Sequence, residues 1–447
     1  MRARLSTGAA SSRGPSRLAV VSAVVGSALL WPFAGSRAET LEEAWRIAVE
    51  RDLSLVAAGK RVEAAEADFD AARADRRPAL AASANALGFD DTPAFDFAGA
   101  GLPVTLPLFA GSSVLMADAR MTLPLYTSGA TRHAIGAAAA DVTAETHRAA
   151  ALTRQVRLDV AARYIDVLRA GSAAAVAEGN VSSLAAHLRE VEDMYRGGSV
   201  PRNDFLAAAV SLADAEQRLL QARNGLDAAR AAYNRALGRR LTEPVGLEPA
   251  LPDVDERLET SSLDGLTALA VEQREELRSL EAAADALEAR ADSAAAATRP
   301  QLALTGGYTF LENDVLSRED YWTLGIGVQW NAFDSGRSRS RSRALSLRSA
   351  AVRDERRDLE SLIALDVRRA WLERDATRQR VEVAEGAVEQ AEENLRVVRD
   401  RYRNGEGTNT EVLDAEALRL QSLSNYDNAR YDAALARYRL ARAVGLL

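Results

Sequence analysis

Two stretches of this chain repeat each other at a fixed offset, and no other feature limits its possible folds as much. The segment Tyr402-Arg-Asn-Gly405-Glu-Gly-Thr-Asn-Thr-Glu411-Val-Leu-Asp414 stands 207 residues after Tyr195-Arg-Gly-Gly198-Ser-Val-Pro-Arg-Asn-Asp204-Phe-Leu. A long Ala/Leu/Val-rich segment enters and another leaves each copy, so each reads as the turn of a helical hairpin. Self-similarity on this scale means that one supersecondary unit is used twice.

The repeat extends upstream. Leu41, Ala44, Ile47, Ala48 and Leu53 have helical spacing, and a second helical run continues to about Arg77, where Pro78 stops it. The same plan returns at Leu263, Leu266, Leu269, Ala270 and Leu277 and stops at Arg299-Pro300, now offset by 222. The difference of 15 places an insertion in the first copy, between 90 and 113.

After each proline the period changes from 3.6 to 2. Leu302, Leu304, Gly306, Tyr308 and Phe310 alternate with Gln301, Ala303, Thr305 and Thr309. Trp322, Leu324, Ile326, Val328 and Trp330 alternate with Thr323, Gly325, Gly327, Gln329 and Asn331. These are two strands, over 301–310 and 321–333. Weaker counterparts run over 79–89 and 113–126, where Leu80, Ala82, Ala84 and Ala86, then Leu115, Ala117, Ala119, Met121 and Leu123, form the apolar faces.

Each strand is about ten residues long and apolar on one side, the pattern of a transmembrane β-strand. A half-buried strand of a soluble sandwich alternates in the same way, but the chain offers no further strands for a second sheet. Strands in hydrocarbon must close into a barrel, and four are too few. The chain must pool them with copies of itself, giving eight strands in a dimer or 12 in a trimer.

From 128 to 195 and from 335 to 402 run two helices of about 67 residues, each roughly 100 Å long at 1.5 Å per residue. Their far halves carry seams spaced by three and four: Ala174, Ala177, Val181, Leu184, Leu188, Val191, Tyr195, and Val381, Ala384, Val388, Ala391, Leu395, Val398, Tyr402. That spacing marks coiled-coil packing. Return helices span 202–238 and 409–445. The first answers its partner with Leu212, Ala215, Leu219, Ala222, Leu226, Ala229 and Tyr233. The expected fold class is mainly α with a small β part, in two tandem copies, 39–241 and 261–447, joined by a Pro-rich link at 242–260.

The first 38 residues read as an export signal: a basic start with Arg2, Arg4, Arg13 and Arg17, an apolar run from Leu18 to Leu30, and Ser36-Arg37-Ala38 as a small-x-small cleavage site. Without them 51 basic residues face 64 acidic ones, a net charge of −13, which argues against nucleic acid as a partner. The chain has no cysteine, so neither disulfides nor a lipid-modified cysteine is available. Beyond the signal no stretch approaches 18 apolar residues, so no membrane-spanning helix follows.

Enzyme signatures do not occur, and no cofactor is expected. His133, His147 and His187 share one helix at non-ligand spacing and read as surface positions, not as a metal site. Arg337, Arg339, Arg341 and Arg343 alternate with serine, but on a helix this spacing spreads them round the circumference; they read as a solvated or headgroup-facing segment. At the turns, Glu411 and Asp414 share a helix face, and Asp204 stands at the position equivalent to Glu411. Acids at helix N-termini stabilise the helix by a few tenths to about 1 kcal/mol. Around a symmetric pore the same residues would make cation-favouring rings.

In this order and duplicated, these segments, with Leu123-Pro-Leu-Tyr-Thr-Ser-Gly129 and Trp330-Asn-Ala-Phe-Asp-Ser-Gly336, resemble the outer membrane factor (TolC-like) family over essentially all of 39–447. The resemblance implies a homotrimer with a 12-stranded barrel in the outer membrane of a Gram-negative bacterium and a helical tunnel through the periplasm. It implies a passive exit duct for efflux or type I secretion, coupled through a periplasmic adaptor to an inner-membrane pump of RND or ABC type. By motif position Asp204, Tyr402, Glu411 and Asp414 look like the constriction. Arg196, Gly198, Ser199, Val200, Arg403, Gly405, Glu406 and Gly407 look like adaptor-contacting turns. The chain departs from the family at Gly407, where some members carry a basic residue; Arg403 or Arg202 would then supply the closing ion pair. Gly405-Glu-Gly407 also reads as a freer turn than Gly198-Ser-Val-Pro201. The alternative is a periplasmic coiled-coil adaptor or scaffold with no barrel.

Overall fold

A computed structural model describes residues 38–109, 111–313 and 316–447. The expected export signal lies outside the described residues apart from Ala38. The first copy comprises α1 (Leu41–Arg51), α2 (Leu53–Ala74), β1 (Ala79–Gly88), β2 (Ala94–Asp96), β3 (Thr105–Pro107), β4 (Ser113–Tyr126), α3 (Ala130–Arg196) and α4 (Arg202–Ala236). After a short α5 (Arg257–Thr260) come α6 (Leu263–Gln273), α7 (Glu275–Ala296), β5 (Gln301–Leu311), β6 (Asp320–Gln329), α8 (Arg337–Arg403) and α9 (Asn409–Val444). No described helix is long and apolar enough to cross a membrane.

Local chemistry sets the element ends. Thr40 caps α1 in a capping box with Glu43, and Asp52 both closes α1 and accepts from the Ser54 and Leu55 amides to open α2. The strand-to-helix elbows are alike. Ser128 and Gly129, then Ser335 and Gly336, all have positive φ. Thr127 and Asp334, at equivalent positions, each accept from the amide four residues on, at 3.3 and 2.8 Å.

The four long strands make one antiparallel sheet in the order β1-β4-β5-β6. Its register keeps the apolar faces together: Ala84 opposes Ala117, Met121 opposes Gly306, and Leu304 opposes Ile326. Gly307 must be glycine, because a Cβ there would lie 2.8 Å from the Ala119 carbonyl oxygen. On the polar face Ser83 donates to Asp118 at 2.6 Å. The 15-residue insertion adds the β2–β3 hairpin, and beside it Phe89 stacks on Phe109 at 5.7 Å.

The helices pack side by side. Near the strands the order is α2, α3, α7, α8; towards the turns it is α4, α3, α9, α8. Midway, two equivalent cores fix the layer. In one, Leu41, Ala44, Val160, Tyr164 and Tyr233 meet; in the other, Leu266, Ala270, Val367 and Leu440 do. Each buried Leu or Val there contributes on the order of 1.5–3 kcal/mol. The link between copies is tied down as well. Leu247 bridges Glu39, whose carboxylate takes two hydrogen bonds from Arg239 at 2.7 and 3.0 Å.

Candidate functional site

The two turns lie together at the end of the helix layer, over a core of Val191, Ala208, Leu395, Tyr402, Val412 and Ala415. Each long helix ends on a glycine of positive φ, Gly198 (75°) and Gly405 (76°). In each, an amide reaches back five residues to close the last turn: Ser199 to Met194 at 2.9 Å and Glu406 to Arg401 at 2.8 Å.

The residues expected to form the constriction divide. Tyr402 is only 4% exposed, its ring 5.6 Å from that of His187, and its hydroxyl is buried without a hydrogen-bond partner. Burial, with Asp204 and Glu190 nearby, raises the Tyr402 pKa. Asp204 joins the same group through its backbone, since Asn409 Nδ2 donates to its carbonyl at 3.1 Å. Glu411 is taken up locally: its carboxylate accepts from the Thr408 amide at 3.0 Å, and Thr408 accepts from the Glu411 amide at 3.3 Å, a capping box. Asp414, three residues on, is exposed on the same helix face.

Of the turn residues, Arg403 pairs with Glu190 on α3 at 2.6 Å, and that carboxylate raises the Arg403 pKa. This pair joins the two hairpins within one chain. Arg196 pairs with Glu192 at 2.6 Å, Ser199 and Glu406 make the closing amide bonds, and Val200 packs on the turn core. Gly407 is not the free joint that its sequence suggests. A Cβ there would lie 3.1 Å from Glu411 Oε2 and 3.2 Å from the Tyr402 nitrogen, so the absence of a side chain lets the chain pack tightly.

Two features went unread in the sequence. His187, expected at the surface, is 2% exposed. Its Nε2 lies 2.7 Å from Asn409 Oδ1, and burial lowers its pKa. His133 and His147 keep partners on α7, namely Asp292 at 3.7 Å and Glu275 at 2.6 Å. Second, Glu416 is buried on α9, where Arg399 of α8 pairs with it and Ser183 of α3 donates to it at 2.7 Å. Three helices are thus held by one carboxylate.

The chain matches the family model described as outer membrane efflux protein, over residues 45–239 and 266–446. No curated protein matches it. Among solved structures it is similar to the CusC channel, with a TM-score of 0.77 at 18% identity over 91% of this chain and 92% of that one. It is similar to VceC from Vibrio cholerae, with 0.75 at 18% over 91% and 96%. It is also similar to the open state of MtrE from Neisseria gonorrhoeae, with 0.72 at 21% over 91% and 89%. With its family model matched in both copies, the chain belongs to the outer membrane efflux protein family.

Proposed function

We propose that this outer membrane protein is a passive, trimeric exit duct for a tripartite efflux or type I secretion system. In this reading 1–38 is removed on export, and the repeats 39–241 and 261–447, linked by 242–260, form the working chain. The observation that carries it is the outer face of the sheet. On β6 Trp322, Leu324, Ile326 and Val328 are 80, 79, 68 and 69% exposed, with Trp330 just past its end at 62%. The register puts Leu80, Ala82 and Ala84 of β1, Ala117, Ala119 and Met121 of β4, and Leu304, Gly306 and Tyr308 of β5 on that same side. Such a face suits lipid, and a scaffold in water would have no use for it.

Both edges of the sheet are open, β1 on one side and β6 on the other. Open strand edges are costly in hydrocarbon, so β6 pairs with β1 of the next copy and three chains close a 12-stranded barrel. The helix edges support the same closure: α4 leaves Val210 and Leu220 exposed, and α8 leaves Leu372 and Val383 exposed. The turns then form the periplasmic end, where an adaptor and an inner-membrane pump dock, with Asp204, Tyr402, Glu411 and Asp414 at the constriction. Purified trimers in planar bilayers are expected to conduct, and carbonate-washed membranes to retain the protein. Release by carbonate together with an absence of conductance would favour the scaffold reading.

A further inference from the structure

The two offsets that relate the copies also relate the contacts inside one chain to those between chains. Helix α2 is 22 residues long, as is α7, at an offset of 222; α3 and α8 are each 67 residues long, at an offset of 207. Within the chain α7 packs on both α3 and α8, whereas of these two long helices α2 packs on α3 only. The free side of α8 therefore has one matching occupant, α2 of a second copy, seated as α7 sits on α3.

Among the pairs that cross the α3–α7 contact, Arg290 of α7 meets Asp141 of α3 in the half nearer the strands. Moved by the two offsets, Arg290 falls on Asp68 and Asp141 falls on Arg348. The charges are exchanged and the pair is kept. All four residues line one groove, and so stand at one level of the helix layer. Burial raises the Asp141 carboxyl; Arg290 opposes this, while the nearby Glu145 and Asp68 add to it. Across the layer the order is Asp68, Asp141, Arg290, Arg348: two acids, then two bases. The middle two satisfy each other. Among the described residues Asp68 and Arg348 have no ion pair within the chain, and both are exposed at opposite edges.

We infer that Arg348 of one protomer pairs with Asp68 of the next, and that this charge-reversed copy of the Asp141–Arg290 pair selects how the chains close. The inference rests on the closed, multi-chain reading given above. It also gives a role to the arginine-rich start of α8. Arg337, Arg341 and Arg348 line that groove on α8, the helix that receives α2, and from 63 onward α2 carries Glu63, Glu66, Asp68 and Asp70. Two α8 edges, or two α2 edges, would repel each other.

The native chain has no cysteine, so introduced thiols report without background. In detergent-purified protein a short bis-maleimide is expected to join Asp68→Cys/Arg348→Cys into a covalent ladder ending at the trimer. The control Asp141→Cys/Arg290→Cys should cross-link only within the monomer. Asp68→Arg and Arg348→Asp should each raise trimer dissociation about tenfold, and the double reversal should restore it. A trimeric parent protein that gives no ladder, with no recovery in the double reversal, would overturn this pairing and leave the duct reading standing. A parent protein that is monomeric by mass would overturn the closed assembly itself.

Discussion

Glu416 is held by Arg399 and Ser183, with Arg419 Nε 3.7 Å from its second oxygen. Replacing Arg399 with Ala strands most of a buried charge, which costs roughly 3 kcal/mol. Amides around 183 and 416 should then lose about 100-fold in hydrogen-exchange protection, and unchanged protection would mean that the carboxylate is not held as described. His187 gives a pH dependence. Its imidazole is packed neutral among Glu190 of its own helix, Arg399 of α8, and Asn409 and Glu416 of α9. Because its folded pKa lies below the ordinary value of about 6.5, the unfolded form takes up the proton first. The stabilisation is therefore complete above that value and is lost below it, as pH falls towards and through the lowered folded value. Protection factors at the turns should drop between about pH 7 and 5 in the native protein and change less in His187→Gln. The two turns were legible because the repeat marks them. His187 and Glu416 were not, because α3 packs on both α4 and α9 and so buries a broader stripe, Asn180, Leu184, His187 and Val191, than its apolar seam alone indicates.

Among the elements, the strands and long helices were the most legible, since a period of 2 giving way to a period of 3.6 at a Ser-Gly elbow leaves little choice. Their pairing was less so: β4 with β5 joins one copy to the other, and nothing local encodes it. Once known, it predicts a register for the open edges. Met121 opposes Gly306 within the chain, so the two offsets place Val328 opposite Ala84 of a neighbour. Ala84→Cys with Val328→Cys should form an inter-chain disulfide, and monomeric product alone would count against that register. The two turns also differ in what they tolerate. Gly198→Ala meets nothing within 4 Å and bears only the positive-φ penalty, about 1 kcal/mol. Gly407→Ala pushes on Tyr402 and on the Glu411 cap and should cost about 2 kcal/mol. Exchange protection of the second turn should fall further than that of the first; the opposite order would show Gly407 to be a joint after all.

For the whole molecule, threefold closure would gather the exposed acids at the turns into rings. Glu411→Gln keeps an acceptor for the Thr408 amide while removing the charge, and Asp414→Asn removes the charge of an exposed side chain. The paired substitutions should lower cation selectivity in planar bilayers with little loss of trimer. Unchanged reversal potentials would remove these two residues from the conduction path.

The sheet order also carries a consequence for biogenesis. β1 and β4 are made early, but the strand that completes their neighbourhood, β5, begins at Gln301, and β6 ends only at Gln329. A nascent chain must therefore keep Met121, Leu123 and the alanine face of β1 soluble while some 180 further residues are synthesised. Long-range pairing of this kind is slow and leaves intermediates open to aggregation. Folding of this polypeptide is set by its last third, and a truncation before 301 strands the first hairpin without a neighbour.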